Sequence, residues 1–178
     1  MSGWKPGDRR EGRDAMIRVD QAGEYGATRI YAGQLAVMGD RGPAARAIAA
    51  MANQETRHRA FFDRLMAERA VRPTLLQPFW NVAGFALGAV TAAMGPKAAM
   101  ACTAAVETEI DRHYSAQLDA LGNSDPELSA AIADFQADEL EHRDTALASG
   151  AEDAVAYPVL SGLIRLGCRI AIATATRI

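Results

Sequence analysis

Ionisable residues recur in this chain at positions where a helical protein would bury hydrocarbon. A lone glutamate is followed 31 or 32 residues later by the pattern Glu-x-x-His, and the arrangement occurs twice: Glu24 with Glu55 and His58, then Glu107 with Glu139 and His142. Each of them lies on an apolar stripe with steps of three and four residues, which predicts the buried face of a helix. Because an unpaired buried carboxylate is costly, the fold must bring these side chains to a compensating partner.

Glycine and proline divide the chain into helices, and the sequence shows no strand-like alternation. Four predicted helices exceed 20 residues and pair through short loops into two hairpins: about Arg13 to Met38 with Pro43 to Ala70, and Gly95 to Leu121 with Asp125 to Ser149. We therefore predict an all-α fold, a ferritin-like four-helix bundle made of two helical hairpins. The single domain 1–178 would add three segments: a flexible terminus (1–12), an apolar crossover (73–95) and a C-terminal amphipathic helix (157–176).

Composition excludes several classes of protein. With 49% hydrophobic residues among 178, the chain can bury a substantial core and is not disordered. The net charge is −3, and it would be +1 without the four repeated glutamates, so the acidity does not indicate a basic partner. No Lys/Arg-dense block predicts nucleic-acid binding. The two cysteines, Cys102 and Cys168, lie in apolar helical contexts typical of buried thiols in a reducing compartment.

The repeated carboxylates and imidazoles predict a dinuclear metal site. A donor set of oxygen and nitrogen without thiolate favours iron or manganese over structural zinc. Each Glu-x-x-His helix would hold one metal, and the two lone glutamates would bridge or cap the pair. Two neighbouring carboxylates, Glu109 and Glu141, fall off the stripes and are expected to be solvated. Asp138 could accept a hydrogen bond from His58 or lie in solvent.

Several segments resemble the demethoxyubiquinone monooxygenases of ubiquinone biosynthesis. The longest runs from Met16 to Ala27 (MIRVDQAGEYGA), and the others are residues 29–34, 102–107, 113–114, 139–142 and 167–172. The resemblance extends over nearly the whole chain beyond residue 14, and its first block is far more specific than an isolated Glu-x-x-His.

The resemblance implies a di-iron enzyme that uses dioxygen and a two-electron donor to hydroxylate the C6 ring position of a demethoxy-polyprenyl quinone. The family ligands fall on the six repeated residues without a change of type. The family's His-Tyr pair falls on His113 and Tyr114, which would couple reduction to the metal site. The resemblance also implies NADH as electron donor, although the chain has no Gly-x-Gly-x-x-Gly after a strand to bind it.

A polyprenyl substrate requires contact with a membrane. No charged residue occurs from Pro73 to Gly95, a stretch of 23 positions with Phe79, Trp80 and Phe85 near its start. Spanning would separate the halves of the metal site, so we predict a peripheral protein with an interfacial segment. The expected location is the cytoplasmic face of a bacterial inner membrane, or the matrix side of the mitochondrial inner membrane. The same segments could instead cover the bundle, or contact a second copy or a lipid-binding helper protein.

Three other functions use parts of the same pattern. An iron-storage protein or ferroxidase would share the fold, but the long uncharged segment is unlike the polar surface of a soluble cage. A non-enzymatic quinone or lipid carrier would use the metals structurally. A radical role of the ribonucleotide reductase kind would need a redox tyrosine beside the metals, for which Tyr31 and Tyr114 are on the correct faces.

Overall fold

The computed structural model describes residues 9–40 and 42–177, and this part of the chain is helical without a strand. The all-α prediction is therefore confirmed. Six α-helices follow one another, and a short 3-10 turn, Ala151–Asp153, precedes the last of them: α1 (Arg9–Met38), α2 (Gly42–Arg69), α3 (Gln77–Ala93), α4 (Pro96–Leu121), α5 (Pro126–Ala148) and α6 (Tyr157–Ala175).

The four long helices form the predicted bundle. Helix α1 packs on α2 and α4 packs on α5, so each hairpin is a unit and the two hairpins meet in the core. Two apolar clusters fill that core, one towards each end of the bundle. One contains Met38, Ile48 and Met100, and the other contains Ile17 and Phe62. The ionisable residues lie between these clusters at mid-helix.

Helix α3 packs against α1 by direct contact between backbones. A Cβ atom at Gly33 would overlap the carbonyl oxygen of Phe85, and a Cβ at Gly88 would overlap the carbonyl oxygen of Ile30. At Gly84 it would lie 3.1 Å from the carbonyl oxygen of Gly26. Gly84 and Gly88, four residues apart, therefore allow close packing that fixes the apolar crossover as a helix along α1.

Helix α6 is held on α4 by a buried carboxylate, which corrects one prediction. Glu109 was expected to be solvated, but it is only 2% exposed. Its Oε1 accepts a hydrogen bond from Arg165 Nε at 2.7 Å, and its Oε2 lies 3.2 Å from Arg169 Nε. Both arginines are on α6. The prediction was wrong because α4 is covered on a second face by α6, whereas a single apolar stripe assumes one buried face. Glu141 is exposed, as expected.

Helix boundaries agree with the sequence to within a few residues. Asp125 caps α5, since its Oδ1 accepts from the backbone N–H of Leu128 at 3.2 Å and Pro126 occupies the first turn. Helix α1 begins at Arg9, four residues before the predicted start. Of the predicted flexible terminus, residues 1–8 lie outside the described part of the chain.

Helices α3 and α6 leave apolar side chains in solvent. Val82 on α3 is 69% exposed and Leu163 on α6 is 65% exposed. Helix α6 alone among the described helices is long and apolar enough to cross a membrane by length and composition, and only 11% of this apolar stretch is buried within the protein. The two helices flank one side of the bundle, next to the site described below.

Candidate metal centre

The structure brings all six repeated residues together in the middle of the bundle. None is more than 2% exposed. Their ligand atoms form two groups, each within 4.8 Å, and Glu55 and Glu139 belong to both groups. The remaining members divide evenly: Glu24 and His58 lie in one group, and Glu107 and His142 in the other. The two motif glutamates are thus central, and the lone glutamates lie at the two ends.

Several of these atoms are buried without a hydrogen bond of their own. They are Glu24 Oε2, both carboxylate oxygens of Glu55, His58 Nδ1, Glu107 Oε2 and Glu139 Oε1. Buried polar atoms are normally satisfied, and each exception needs an explanation. These lone pairs converge from four helices, and carboxylate and imidazole are the donors that iron and manganese accept. The residues present therefore fit a pair of divalent metal ions.

Burial and mutual repulsion shift the proton affinities of the carboxylates. Burial, with the charge of Glu139, raises the pKa values of both Glu55 and Glu107 well above the ordinary carboxyl value. Burial also opposes the ionisation of Glu139, but the adjacent imidazoles of His142 and His58 outweigh it and lower that pKa to about 2. For His58, burial is outweighed by the adjacent carboxylates of Glu139 and Glu24, and its pKa rises to about 10. Metal binding would replace the protons that these groups hold.

Two tyrosines cross the bundle to hold the lone glutamates. Tyr31 follows Glu24 by seven residues and donates to Glu107 Oε1 at 2.6 Å. Tyr114 follows Glu107 by seven residues and donates to Glu24 Oε1. Burial, with the charges of these carboxylates, raises both tyrosine pKa values well above the ordinary one, so both hydroxyls stay protonated and donate. The internal repeat therefore includes a tyrosine in each half.

Both histidines present the same nitrogen to the centre. His58 Nδ1 lies 3.2 Å from Glu139 Oε1 and 3.5 Å from Glu24 Oε2. His142 Nδ1 lies 3.2 Å from both Glu55 Oε1 and Glu139 Oε2. The outer Nε2 atoms bond elsewhere, to Asp138 and Gln54 respectively. Asp138 therefore reaches His58 as the sequence suggested, which orients the ring towards the carboxylates.

The predicted pair His113 and Tyr114 divides between two environments. Tyr114 is buried against Glu24, whereas the His113 side chain is 20% exposed and lines a cavity of about 290 Å³. His113 Nε2 lies 3.2 Å from Asp20 Oδ1, which also accepts from Gln117 Nε2 at 2.8 Å. Burial raises the pKa of Asp20 to about 6 against these hydrogen bonds.

A larger apolar channel approaches the site from the side of α3 and α6. Its volume is about 590 Å³, within the usual range for small-molecule sites. Gly23 and Val106, which precede Glu24 and Glu107 in the sequence, line it together with Trp80, Leu163 and Cys168. The channel is bounded by α1, α3, α4 and α6, so its inner end lies against the two helices that carry the lone glutamates.

Sequence reasoning did not find the channel, Asp20, Gln54 or the arginines that hold Glu109. The seven-residue spacing from each lone glutamate to a tyrosine was a usable signal for the crossed hydrogen bonds. The channel had no such signal, because four helices that are distant along the chain each contribute only part of its wall.

Comparison with known proteins identifies the family. Residues 11–175 match the family described as ubiquinone biosynthesis protein COQ7. This chain belongs to that family. The resemblance drawn from the motifs is therefore confirmed, and the family is that of the di-iron demethoxyubiquinone hydroxylases.

Relatives are found in bacteria and in mitochondria. A 3-demethoxyubiquinol 3-hydroxylase of Rhodospirillum rubrum is 54% identical over 165 residues, which cover 93% of this chain and 78% of that protein. Two proteins named NADPH-dependent 3-demethoxyubiquinone 3-hydroxylase, mitochondrial, are similar as well. The one from Bos taurus is 50% identical, covering 95% of this chain and 79% of its own, and the one from Homo sapiens is 51% identical, covering 93% and 77%.

Proposed function

We propose that this protein is an oxygen-dependent di-iron monooxygenase that hydroxylates the C6 ring position of a demethoxy-polyprenyl quinone in ubiquinone biosynthesis. The observation that carries the proposal is the pair of buried carboxylate and imidazole clusters sharing Glu55 and Glu139. Similarity to the bacterial and mitochondrial hydroxylases over most of their length supports the substrate class. We take the whole chain, 1–178, as one domain with this activity.

The six buried residues would hold two iron ions: Glu24, Glu55, His58, Glu107, Glu139 and His142. Bound iron would supply the means to activate dioxygen. The protein would hold the ligand side chains in fixed positions. Tyr31 and Tyr114 hold Glu107 and Glu24 by hydrogen bonds, so neither lone glutamate can rotate freely. The apolar clusters at both ends of the bundle keep water away from the carboxylates.

The apolar channel would bind the quinone substrate. Its lining is almost entirely hydrocarbon, which suits an isoprenoid tail, and its wall includes Gly23 and Val106, the residues that precede Glu24 and Glu107. A ring placed at that end would be near the metal centre, and the tail would extend between α3 and α6 towards the exposed apolar surface. This arrangement positions the reacting carbon by burial of the tail, with no polar anchor required.

Reduction would reach the site through His113 and Tyr114. Tyr114 bonds to Glu24, and the neighbouring His113 faces the smaller cavity at the surface. We propose a reduced nicotinamide as electron source; NADH was the sequence-based expectation, and the mitochondrial relatives are named NADPH-dependent.

The exposed apolar faces of α3 and α6 would bring the protein to a membrane surface. A peripheral position, on the cytoplasmic face of a bacterial inner membrane or the matrix side of the mitochondrial one, lets a membrane-dissolved quinone enter the channel between these helices. The same faces could receive a second copy of the chain or a lipid-binding helper protein.

The proposal is tested by assaying iron-loaded protein with a short-tail demethoxyubiquinone, NADH or NADPH, and air. Mass spectrometry should detect a hydroxylated quinone for the unmodified protein, and none for Glu55→Ala. Glu141→Ala removes an exposed glutamate from the same region and should keep the activity. Iron oxidation with unchanged quinone would favour a ferroxidase instead, and quinone binding that survives loss of the metals, without turnover, would favour a carrier.

A further inference from the structure

The two halves of the metal centre are related by a repeat that is broken at one position. Gln54 and Asp138 each directly precede a motif glutamate, and each accepts a hydrogen bond from the histidine of the opposite Glu-x-x-His helix. His58 Nε2 lies 3.0 Å from Asp138 Oδ2, and His142 Nε2 lies 2.9 Å from Gln54 Oε1. The two positions thus have the same role but differ in charge.

Two other features are shared by the two halves. Both histidines face inwards with Nδ1, and both lone glutamates accept from a tyrosine of the other hairpin. Both outer Nε2 atoms must therefore carry the proton that they donate. Phe135 also stacks on His58, with ring centroids 4.1 Å apart, but this apolar contact adds no charge. Each inner Nδ1 faces two carboxylates, Glu24 and Glu139 for His58 and Glu55 and Glu139 for His142, whereas on the outer side only His58 faces an anionic acceptor.

An anionic acceptor makes an imidazole a stronger metal ligand than a neutral one does, because it stabilises the positive charge that develops on the ring. Asp138 is 27% exposed and lies 3.8 Å from Arg57, a residue 68% exposed, so this arginine is mostly hydrated and its screening is weak. Gln54 offers His142 only an amide oxygen.

We propose that Asp138 and Gln54 are positioning residues that make the two metal positions inequivalent, with the tighter position at His58. The inference rests on the proposed di-iron site and adds an order of filling to it. At one iron per chain, the His58 position is occupied first.

The test is an anaerobic titration of metal-free protein with ⁵⁷Fe(II). Competition with a chelator gives the two dissociation constants, and Mössbauer spectra report each iron separately. Asp138→Asn keeps an acceptor but removes its charge. We expect it to weaken the tighter constant by about ten- to a hundredfold and to shift one of the two iron signals. The matched control is Asp134→Asn, an exposed carboxylate one turn earlier on α5, which should leave both constants unchanged.

The reciprocal variant keeps the test decisive if Asp138→Asn folds poorly. Gln54→Asp gives His142 an anionic acceptor and should tighten the weaker constant, whereas Asn53→Asp, at an exposed neighbour, should not. Two irons bound with constants that neither variant changes, or that both variants change equally, would overturn the inference while keeping the di-iron site. Failure of the unmodified protein to bind two irons would instead reject the proposed function.

Discussion

Single residues in this protein combine structural and electrostatic roles, and Asp125 is an example that can be measured away from the metal centre. It caps α5 and also binds Arg69, whose Nη2 lies 3.2 Å from Asp125 Oδ1. Hydrogen bonds from this guanidinium hold the pKa of Asp125 below its ordinary value of 3.8. The carboxylate form is therefore the one that stabilises the fold.

Replacing Asp125 by asparagine should cost about 1 kcal/mol of unfolding free energy at neutral pH, because asparagine keeps the cap but loses the charge. Because folding lowers the pKa of Asp125, the carboxylate contributes its full stabilisation of the folded state above pH 3.8. This stabilisation is lost as the pH falls from 3.8 through the pKa of Asp125 in the folded protein. Chemical unfolding of metal-free protein at pH 7 and near pH 3 checks this. A difference between wild type and variant that is the same at both pH values would contradict it.

At the scale of helices, the α1–α3 contact depends on the absence of side chains. Gly33→Ala or Gly88→Ala would force a Cβ into a backbone carbonyl of the other helix. We expect each substitution to lower the unfolding free energy by about 1–3 kcal/mol, because a backbone carbonyl cannot move aside as a flexible side chain can. Gly162→Ala is the control, because this helical glycine has open space around its Cβ position and should gain about 0.5–1 kcal/mol. Equal effects at the three sites, measured by denaturant unfolding, would refute this account.

The docking of α6 should depend on the charge balance around Glu109. Replacing both Arg165 and Arg169 by leucine leaves a buried carboxylate without a cation, at an expected cost of about 3 kcal/mol. Adding Glu109→Gln to that double variant should restore part of the loss, because the uncompensated charge is gone. Hydrogen exchange of the α6 amides is the measurement, and equal protection with and without Glu109→Gln would contradict the prediction.

The same helices show what could be predicted from sequence. The apolar stripes located the four bundle helices and the six buried ionisable residues, because those residues lie on the face that each helix turns into the bundle. Residues 98–107 of α4 are buried without interruption, so this helix is covered on more than one face, and an off-stripe residue such as Glu109 could not be judged by period alone. The many alanines in residues 98–107 were the sequence feature that could have indicated burial on several faces. The helix that covers Glu109 is α6, and its two arginines lie 56 or more residues from Glu109 in the sequence, so helical spacing could not identify them.

At the scale of the whole molecule, the outer apolar surface is separate from the metal centre and can be tested separately. Val159 and Leu166 on α6 are 63% and 51% exposed and do not line the channel. Changing both to aspartate should reduce flotation with anionic liposomes several-fold, because the interfacial apolar area is lost. Val155→Asp is the control, since that residue is 86% exposed but precedes α6. Flotation that is reduced equally by the control would show that charge alone, not this face, determines binding.

The central claim is that the buried carboxylate and imidazole clusters direct oxygen into a quinone ring bound at the inner end of the channel. The most direct measurement is a single turnover of Fe(II)-loaded protein with a short-tail demethoxyubiquinone and a reduced nicotinamide, started by admitting ¹⁸O₂. The account predicts one ¹⁸O atom in the quinone product and none with Glu55→Ala. A product that carries oxygen from water, or iron that is oxidised while the quinone stays unchanged, would contradict it.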